Sequence, residues 1–241
     1  MREYSKEHDD NAERKYAYDF DYVLRGYVLK ALSPFFVKGK ALELGCFEGE
    51  MTRLIANYFE DLTVVEAADD LIPVAKSKVS ENVKFIHGTI ENVELEAIYD
   101  SIFIVHTLEH LDNPVEALKT ISKWLTPTGR LFVVVPNANA PSRQIAVKMG
   151  LIEHNSAVTP GELEHGHRCT YSLDTLERDA RKAGLKIESR GGVFFKPFAN
   201  FQFDLMLQNK VIDQKYIDGC YELGMHYPEL TASIYLVCNR G

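Results

Sequence analysis

Ala41-Leu42-Glu43-Leu44-Gly45-Cys46-Phe47-Glu48-Gly49 is the stretch from which the architecture of this chain can be read. An apolar run closed by an acid and a glycine marks a buried strand that bends sharply. Glycine lets the backbone turn there and lets another group approach it closely. The strand spans Lys40–Leu44, and residues 50–58 after it follow a helical pattern. Working outward, residues 62–65 form a second strand closed by Glu66, and residues 69–80 a helix with Asp69 or Asp70 suited to its N-cap. Strands follow at 83–86, 101–105 and 131–135. Between the last two lies a helix with Asn113 as cap and Pro114 at its first position. Its apolar face is Val115, Leu118, Ile121 and Leu125, and Thr126-Pro127-Thr128-Gly129 ends it.

Continuous apolar strands alternating with amphipathic helices mean a parallel sheet buried on both faces. Right-handed crossovers then give an α/β, Rossmann-like, doubly wound fold. In such sheets ligands sit beyond the carboxyl ends of the strands, near the point where strand order reverses. Chemistry is therefore expected just after residues 44, 65, 86, 105 and 135.

Glu66 lies 21 residues after Gly45, where an acid is placed to accept both hydroxyls of a ribose. The loop before it decides which nucleoside cofactor. A dinucleotide needs G-x-G-x-x-G for its pyrophosphate, whereas this chain has G-x-x-x-G with Glu48 and Glu50 where the phosphates would lie. Like charges there are unfavourable. A cofactor with a sulfonium and an α-ammonium tolerates those acids, which points to S-adenosylmethionine over NAD.

The quoted stretch resembles motif I of class I S-adenosylmethionine-dependent methyltransferases. His106-Thr107-Leu108-Glu109-His110-Leu111-Asp112-Asn113-Pro114 resembles the segment after the fourth strand in the ubiquinone O-methyltransferase-like group. Leu131-Phe132-Val133-Val134-Val135-Pro136-Asn137 fits that group's fifth strand, and Gly166-His167-Arg168 with Tyr171-Ser172-Leu173 resembles a recurring later stretch. The likeness covers roughly residues 40–190. It implies a mostly parallel seven-stranded sheet with an N-terminal helical arm and a lid insertion. It also implies methyl transfer to O or N, with S-adenosyl-L-homocysteine as product. Glu43 and Gly45 would line the methionine end, and Glu66 with Ala67 the ribose. Gly88, Thr89 and Ile90 would lie against the adenine, and the backbone near His106 would receive the α-ammonium. Tyr16, Cys46, Phe47, Gly49, Thr52, Leu108 and Leu111 complete the expected cofactor set. The group usually has glycine where this chain has Phe47, which makes the loop bulkier. It often has an acid near Thr89, for which Thr89 or a backbone carbonyl would substitute.

Methyl transfer from a sulfonium is a direct displacement, and an acceptor that must lose a proton benefits from a base. Histidine suits that role near neutrality. The candidates are His106, His165 and His167, with His110 bracing a loop. Asn137 and Tyr171 are candidate substrate contacts, and Arg143 and Arg168 offer charge to an anionic acceptor. His165, His167 and Cys169 alternate near Glu162 and Glu164, which suits a divalent ion on one face of an extended segment. Alternation alone does not specify one, and no resident metal is expected.

The 241 residues, 46% apolar and 26% charged, suit one α/β domain with decoration. The expected division is an arm and helix over 1–36 and the cofactor domain over 37–241. Segments 138–170 and 193–225 would cover the substrate. A net charge of −8 with no long basic stripe argues against nucleic acid. The cluster Arg178, Arg181, Lys182, Lys186 and Arg190 reads as a solvated helix face. No run reaches membrane-span length. The first residues are charged rather than apolar, and Cys46, Cys169, Cys220 and Cys238 form no CxxC, so a cytoplasmic protein with free thiols is expected. The run Phe194, Phe195, Phe198, Phe201 and Phe203 reads as core or homodimer contact ahead of a pocket roof. The acceptor is expected to be a small polar metabolite: a sugar, a surface-glycan precursor or an anionic secondary metabolite. Two alternatives stand beside this, an NAD(P)-linked oxidoreductase and a non-catalytic cofactor-binding partner protein.

Overall fold

A computed structural model describes residues 4–10 and 15–241; residues 1–3 and 11–14 of the expected arm lie outside the described residues. Seven strands form one sheet: β1 (Lys40–Leu44), β2 (Asp61–Glu66), β3 (Lys84–His87), β4 (Tyr99–Val105), β5 (Leu125–Pro136), β6 (Leu185–Phe195) and β7 (Thr231–Arg240). Their order is β3-β2-β1-β4-β5-β7-β6, with β7 antiparallel to both neighbours and the other pairings parallel. The fold is the expected mostly parallel, doubly wound sheet. The order reverses between β1 and β4, so the crossovers there leave in opposite directions and open a crevice at the carboxyl edge.

The sheet divides two apolar layers, because successive side chains point to opposite faces. Leu42 and Leu44 of β1, Ile102 and Ile104 of β4, and Leu131, Val133 and Val135 of β5 pack with α4 (Pro114–Trp124) and α7 (Leu173–Lys182). Ala41, Val64, Phe103, Phe132 and Val134 face the other layer, built by α1 (Asp19–Leu32), α2 (Glu50–Ile55), α8 (Asn200–Gln208) and α9 (Gln214–His226). Phe103 and Phe132 stack at 4.8 Å, and Phe36 meets them edge-on at 5.1 and 5.3 Å. Glu43 alternates onto that same layer, which turns a charged residue toward α1.

Several boundaries differ from the sequence reading. Thr126 to Gly129 is not a helix-ending loop but part of β5. Leu125 pairs with Tyr99, the Thr126 hydroxyl donates to Asp100 at 3.0 Å, and a Cβ on Gly129 would meet the Tyr99 carbonyl at 2.7 Å. β6 runs through Gly191 and Gly192, which permit close packing on Tyr235 and Thr231 rather than breaking the strand. α2 stops at Ile55, and α3 (Leu71–Ser77) is shorter than the 69–80 pattern. Asp70 stands at its N-cap without capping through its side chain, which pairs with His8 at 3.2 Å.

In the later half, α5 (Pro141–Lys148) follows the fifth strand, and α6 (Pro160–Glu164) is started by a Thr159 capping box. Ser172 caps α7 by accepting from the Thr175 amide. Two residues of the aromatic run are core, Phe194 and Phe203, fully buried against Phe20, while Phe195 and Phe198 are half-buried and Phe201 is exposed. The arginines of the basic cluster are paired, Arg181 and Arg190 with Glu177 and Arg178 with Asp179. Among the described residues no helix is long and apolar enough to cross a membrane.

Candidate active site

The crevice holds a cavity of about 540 Å³, within the range typical of small-molecule sites. Its lining comes from Gly45, Cys46 and Phe47 after β1, Glu66 and Ala67 at β2, Gly88 to Glu91 after β3, Val105 to Thr107 after β4, and Pro136 and Asn137 after β5. These are the strand ends that the sequence pattern singled out. Gly45 has φ +76, and a Cβ there would lie 2.4 Å from the Thr107 hydroxyl, so the loop closes only on glycine.

Glu66 is 7% exposed and rigidly held. Its Oε2 accepts the amides of Cys46 (2.7 Å) and Phe47 (3.1 Å), and its Oε1 accepts that of Ala68 (2.9 Å). Glu43 is 1% exposed, and neither carboxylate oxygen has a hydrogen-bond partner among the described residues. Burial pushes its carboxyl up to about 8, against the opposing pull of the Thr52 hydroxyl and the Arg25 guanidinium. Arg25 lines the cavity from α1, and its buried Nη1 has no partner among the described residues. A buried acid and a cation left without partners are costly unless a ligand completes them.

His106 takes a left-handed backbone, φ 53, at the end of β4, and its Nε2 lies 2.9 Å from the Ser233 hydroxyl. Burial lowers its pKa to about 4, with Arg25, His167 and Lys196 adding and Asp21 opposing. The ring is neutral around neutral pH. His165 instead lies 2% exposed against the N-terminal arm, its Nε2 3.1 Å from the Asp9 carbonyl oxygen. His165 lines the cavity as well, with that nitrogen engaged by the arm. His167 meets His110 at 4.6 Å between ring centroids.

The alternating residues do not converge on an ion. His165 turns to Asp9, Glu162 to Arg143 at 2.8 Å, and the Cys169 thiol to the Glu109 carbonyl at 4.0 Å. Among the described residues, Glu109, His110 and His167 have ligand spacing: their donor atoms lie within 4.8 Å of one another and could hold a divalent ion. Burial pushes the Glu109 carboxyl up to about 8.

The charged substrate candidates are occupied. Arg143 lines the cavity but donates to Glu162 and to the Asn155 and Ala157 carbonyls. Arg168 pairs with Asp112 at 3.2 Å and Glu7 at 3.9 Å. The Asn137 amide is used by the Glu229 and Thr231 carbonyls, and Tyr171, 2% exposed, bridges Asn137 outside the cavity. Glu43, Gly49, Thr52 and Leu108 do not line the cavity either, Glu43 being buried under its wall at 1% exposure. Gly49 packs on Ala75, while Thr52 and Leu108 are fully buried. Tyr16, Thr89, Ile90 and Leu111 do line it.

The sequence reading missed Arg25, Glu91, Ser233 and Asn200, all in the cavity wall. The signal for Arg25 was present. Asp21, Leu24, Arg25 and Val28 follow helical spacing, so two charges sit in the inward stripe of α1. Glu91 places an acid near the expected adenine end, two residues after Thr89.

The methyltransferase domain family matches residues 16–190. The ubiquinone biosynthesis O-methyltransferase of Idiomarina loihiensis is 25% identical over 226 residues, covering 92% of this chain and 88% of that protein. The mitochondrial ubiquinone biosynthesis O-methyltransferase of Schizosaccharomyces pombe is 27% identical over 127 residues, covering 50% of this chain and under half, 46%, of that protein. The crystal structure of a Thermotoga maritima S-adenosylmethionine-dependent methyltransferase, described as a possible histamine N-methyltransferase, superposes with a TM-score of 0.64. That match has 18% identity and covers 92% of this chain and 90% of that one. The chain therefore belongs to the methyltransferase domain family and is an S-adenosylmethionine-dependent methyltransferase.

Proposed function

We propose that the chain methylates a hydroxyl oxygen of a small-molecule acceptor, with His106 as the general base. The observation that carries this reading is a neutral, Ser233-anchored His106 in the wall of the same cavity as Arg25 and Glu66.

The residues present fit the cofactor. The partnerless oxygens of Glu43 suit an α-ammonium and the partnerless Nη1 of Arg25 a carboxylate. Glu66 suits the ribose hydroxyls, and the Gly88 to Glu91 turn the adenine. Bound S-adenosylmethionine supplies a methyl carbon made electrophilic by its sulfonium. The chain's own residues orient the acceptor and take its proton. When Nε2 donates to Ser233, Nδ1 of His106 keeps the lone pair that accepts the hydroxyl proton. Holding the groups in line removes much of the entropic cost of their meeting.

With Arg143 and Arg168 already paired, recognition of an anionic acceptor loses its support. The buried Oδ1 of Asn200 has no partner among the described residues, while its Nδ2 donates to Asp21 at 2.6 Å. That arrangement favours an acceptor bringing hydroxyl donors, with segments 138–170 and 193–225 covering it. The names of the O-methyltransferase relatives agree with oxygen as the receiving atom.

Methyl transfer from radiolabelled S-adenosylmethionine to a panel of catechols, phenols and sugars tests this. Turnover on a hydroxylated acceptor that falls about 10²–10⁴-fold in His106→Asn, with cofactor affinity retained, is the expected outcome. Undiminished turnover in that variant removes His106 from the base role.

A further inference from the structure

Phe47 is a bulky residue in a left-handed backbone, φ 50. Side chains rarely adopt that region, and glycine occupies it without cost. Strain of this kind persists where the surrounding structure makes use of it. Among the described residues, Phe47 meets two rings, both from the N-terminal arm: Tyr16 at 4.8 Å and His8 at 6.2 Å between centroids.

Tyr16 lies between two parts of the body. One face meets Phe47, and its edge meets His165 at 5.1 Å. Tyr16 lines the same cavity as Glu66, the acid assigned to the ribose. Polar contacts tie the arm at further points. His8 pairs with Asp70 at 3.2 Å, the Asp9 carbonyl lies 3.1 Å from His165, and Glu7 reaches Arg168 at 3.9 Å. The described arm holds only one short helical turn, Tyr4–Lys6, and no strand pairing to the sheet. A segment without a strand pairing to the sheet opens at lower cost than the core. Tyr4, Glu7, His8 and Tyr16 nevertheless form part of the cavity wall.

We propose that Phe47 and Tyr16 form a latch: the arm closes over the cofactor end of the cavity, and cofactor exchange waits for this ring contact to open. The inference rests on the cofactor reading of the cavity. Phe47 and Tyr16 act here as positioning residues. Phe47 gives up the conformational ease of glycine for a ring on which the arm can seat.

The test uses the full chain loaded with radiolabelled S-adenosylmethionine and chased with excess S-adenosylhomocysteine. Release is expected to be about tenfold faster in Phe47→Gly and in Tyr16→Ala, the scale of one buried aromatic contact. The double variant should release no faster than either single one, because both remove the same contact. Tyr16→Phe should release like the wild type, since it keeps the ring. Phe47→Gly should melt no lower than the wild type, because glycine suits that backbone; a purely structural role for the ring would lower the melting temperature instead. Release unchanged in both single variants, effects that multiply in the double variant, or tighter binding once the ring is removed would each overturn the latch. Wild-type protein that retains no labelled cofactor overturns the cofactor reading itself, and the latch with it.

Discussion

One oxygen of the Glu66 carboxylate accepts the amides of both Cys46 (2.7 Å) and Phe47 (3.1 Å), which ties the end of β2 to the turn after β1. The acid therefore shapes the loop as well as facing the cavity. Glu66→Gln replaces one acceptor oxygen by a donor facing other donors. Hydrogen bonds to charged groups contribute about 1.5–3 kcal/mol each, so S-adenosylmethionine affinity should fall at least tenfold, with a lower melting temperature. Equilibrium dialysis and thermal denaturation of the two proteins check this.

Arg25 should show the opposite balance between stability and binding. Its buried Nη1 lacks a partner among the described residues, so the free protein bears a cost that the ligand relieves. Arg25→Met should leave the melting temperature of the free protein unchanged or higher. The same variant should lose about tenfold to hundredfold in cofactor affinity. Loss of stability without loss of affinity would assign Arg25 to the scaffold.

Glu43 makes the free protein sensitive to pH. Its folded pKa of about 8 stands above the ordinary 4.5, so the native state keeps a proton that the unfolded chain has released. The sign follows: the stabilisation is complete below the ordinary value and is lost as pH rises toward the folded one. Between about pH 5 and 8 the free protein should lose stability by up to about 1.4 kcal/mol per pH unit from this group, and Glu109 acts in the same direction. Glu43→Gln should flatten the slope by its share in denaturant titrations across that range. An ammonium bound at Glu43 favours the ionised form, so cofactor binding near neutrality should release a proton, readable as a dependence of binding heat on buffer ionisation.

Arg143 should behave as a structural residue. It forms a largely buried ion pair with Glu162, 2.8 Å apart, and caps two carbonyls. Arg143→Met leaves the acid unpaired, so a loss of about 3–5 kcal/mol in urea denaturation is expected. Cofactor affinity of the folded fraction should be unchanged.

The parallel core was legible because its strands are apolar on both faces and its turns carry glycine at fixed places. Gly45 and Glu66 could be placed from spacing alone. The later half was harder to read for physical reasons. Gly191 and Gly192 look like a break, yet they let Tyr235 and Thr231 pack against β6. Thr126 to Gly129 looks like a loop, but the edge of β4 draws it into the sheet. At the site, sequence shows that Arg143 and Arg168 are cations but not that Glu162, Asp112 and Glu7 already hold them. Three histidines looked equivalent as bases. Only folding brings Ser233, 127 residues away, to His106 and the Asp9 carbonyl to His165.

The central claim is that the cavity beyond β1, β2 and β4 is built for S-adenosylmethionine, held by Glu43, Arg25 and Glu66. Isothermal titration of the full chain with S-adenosylmethionine, beside NADH and the Glu66→Ala variant, tests it most directly. Micromolar binding of one S-adenosylmethionine per chain, lost in Glu66→Ala and not shared by NADH, is the expected result. Binding of NADH without S-adenosylmethionine, or S-adenosylmethionine binding indifferent to Glu66, would contradict it.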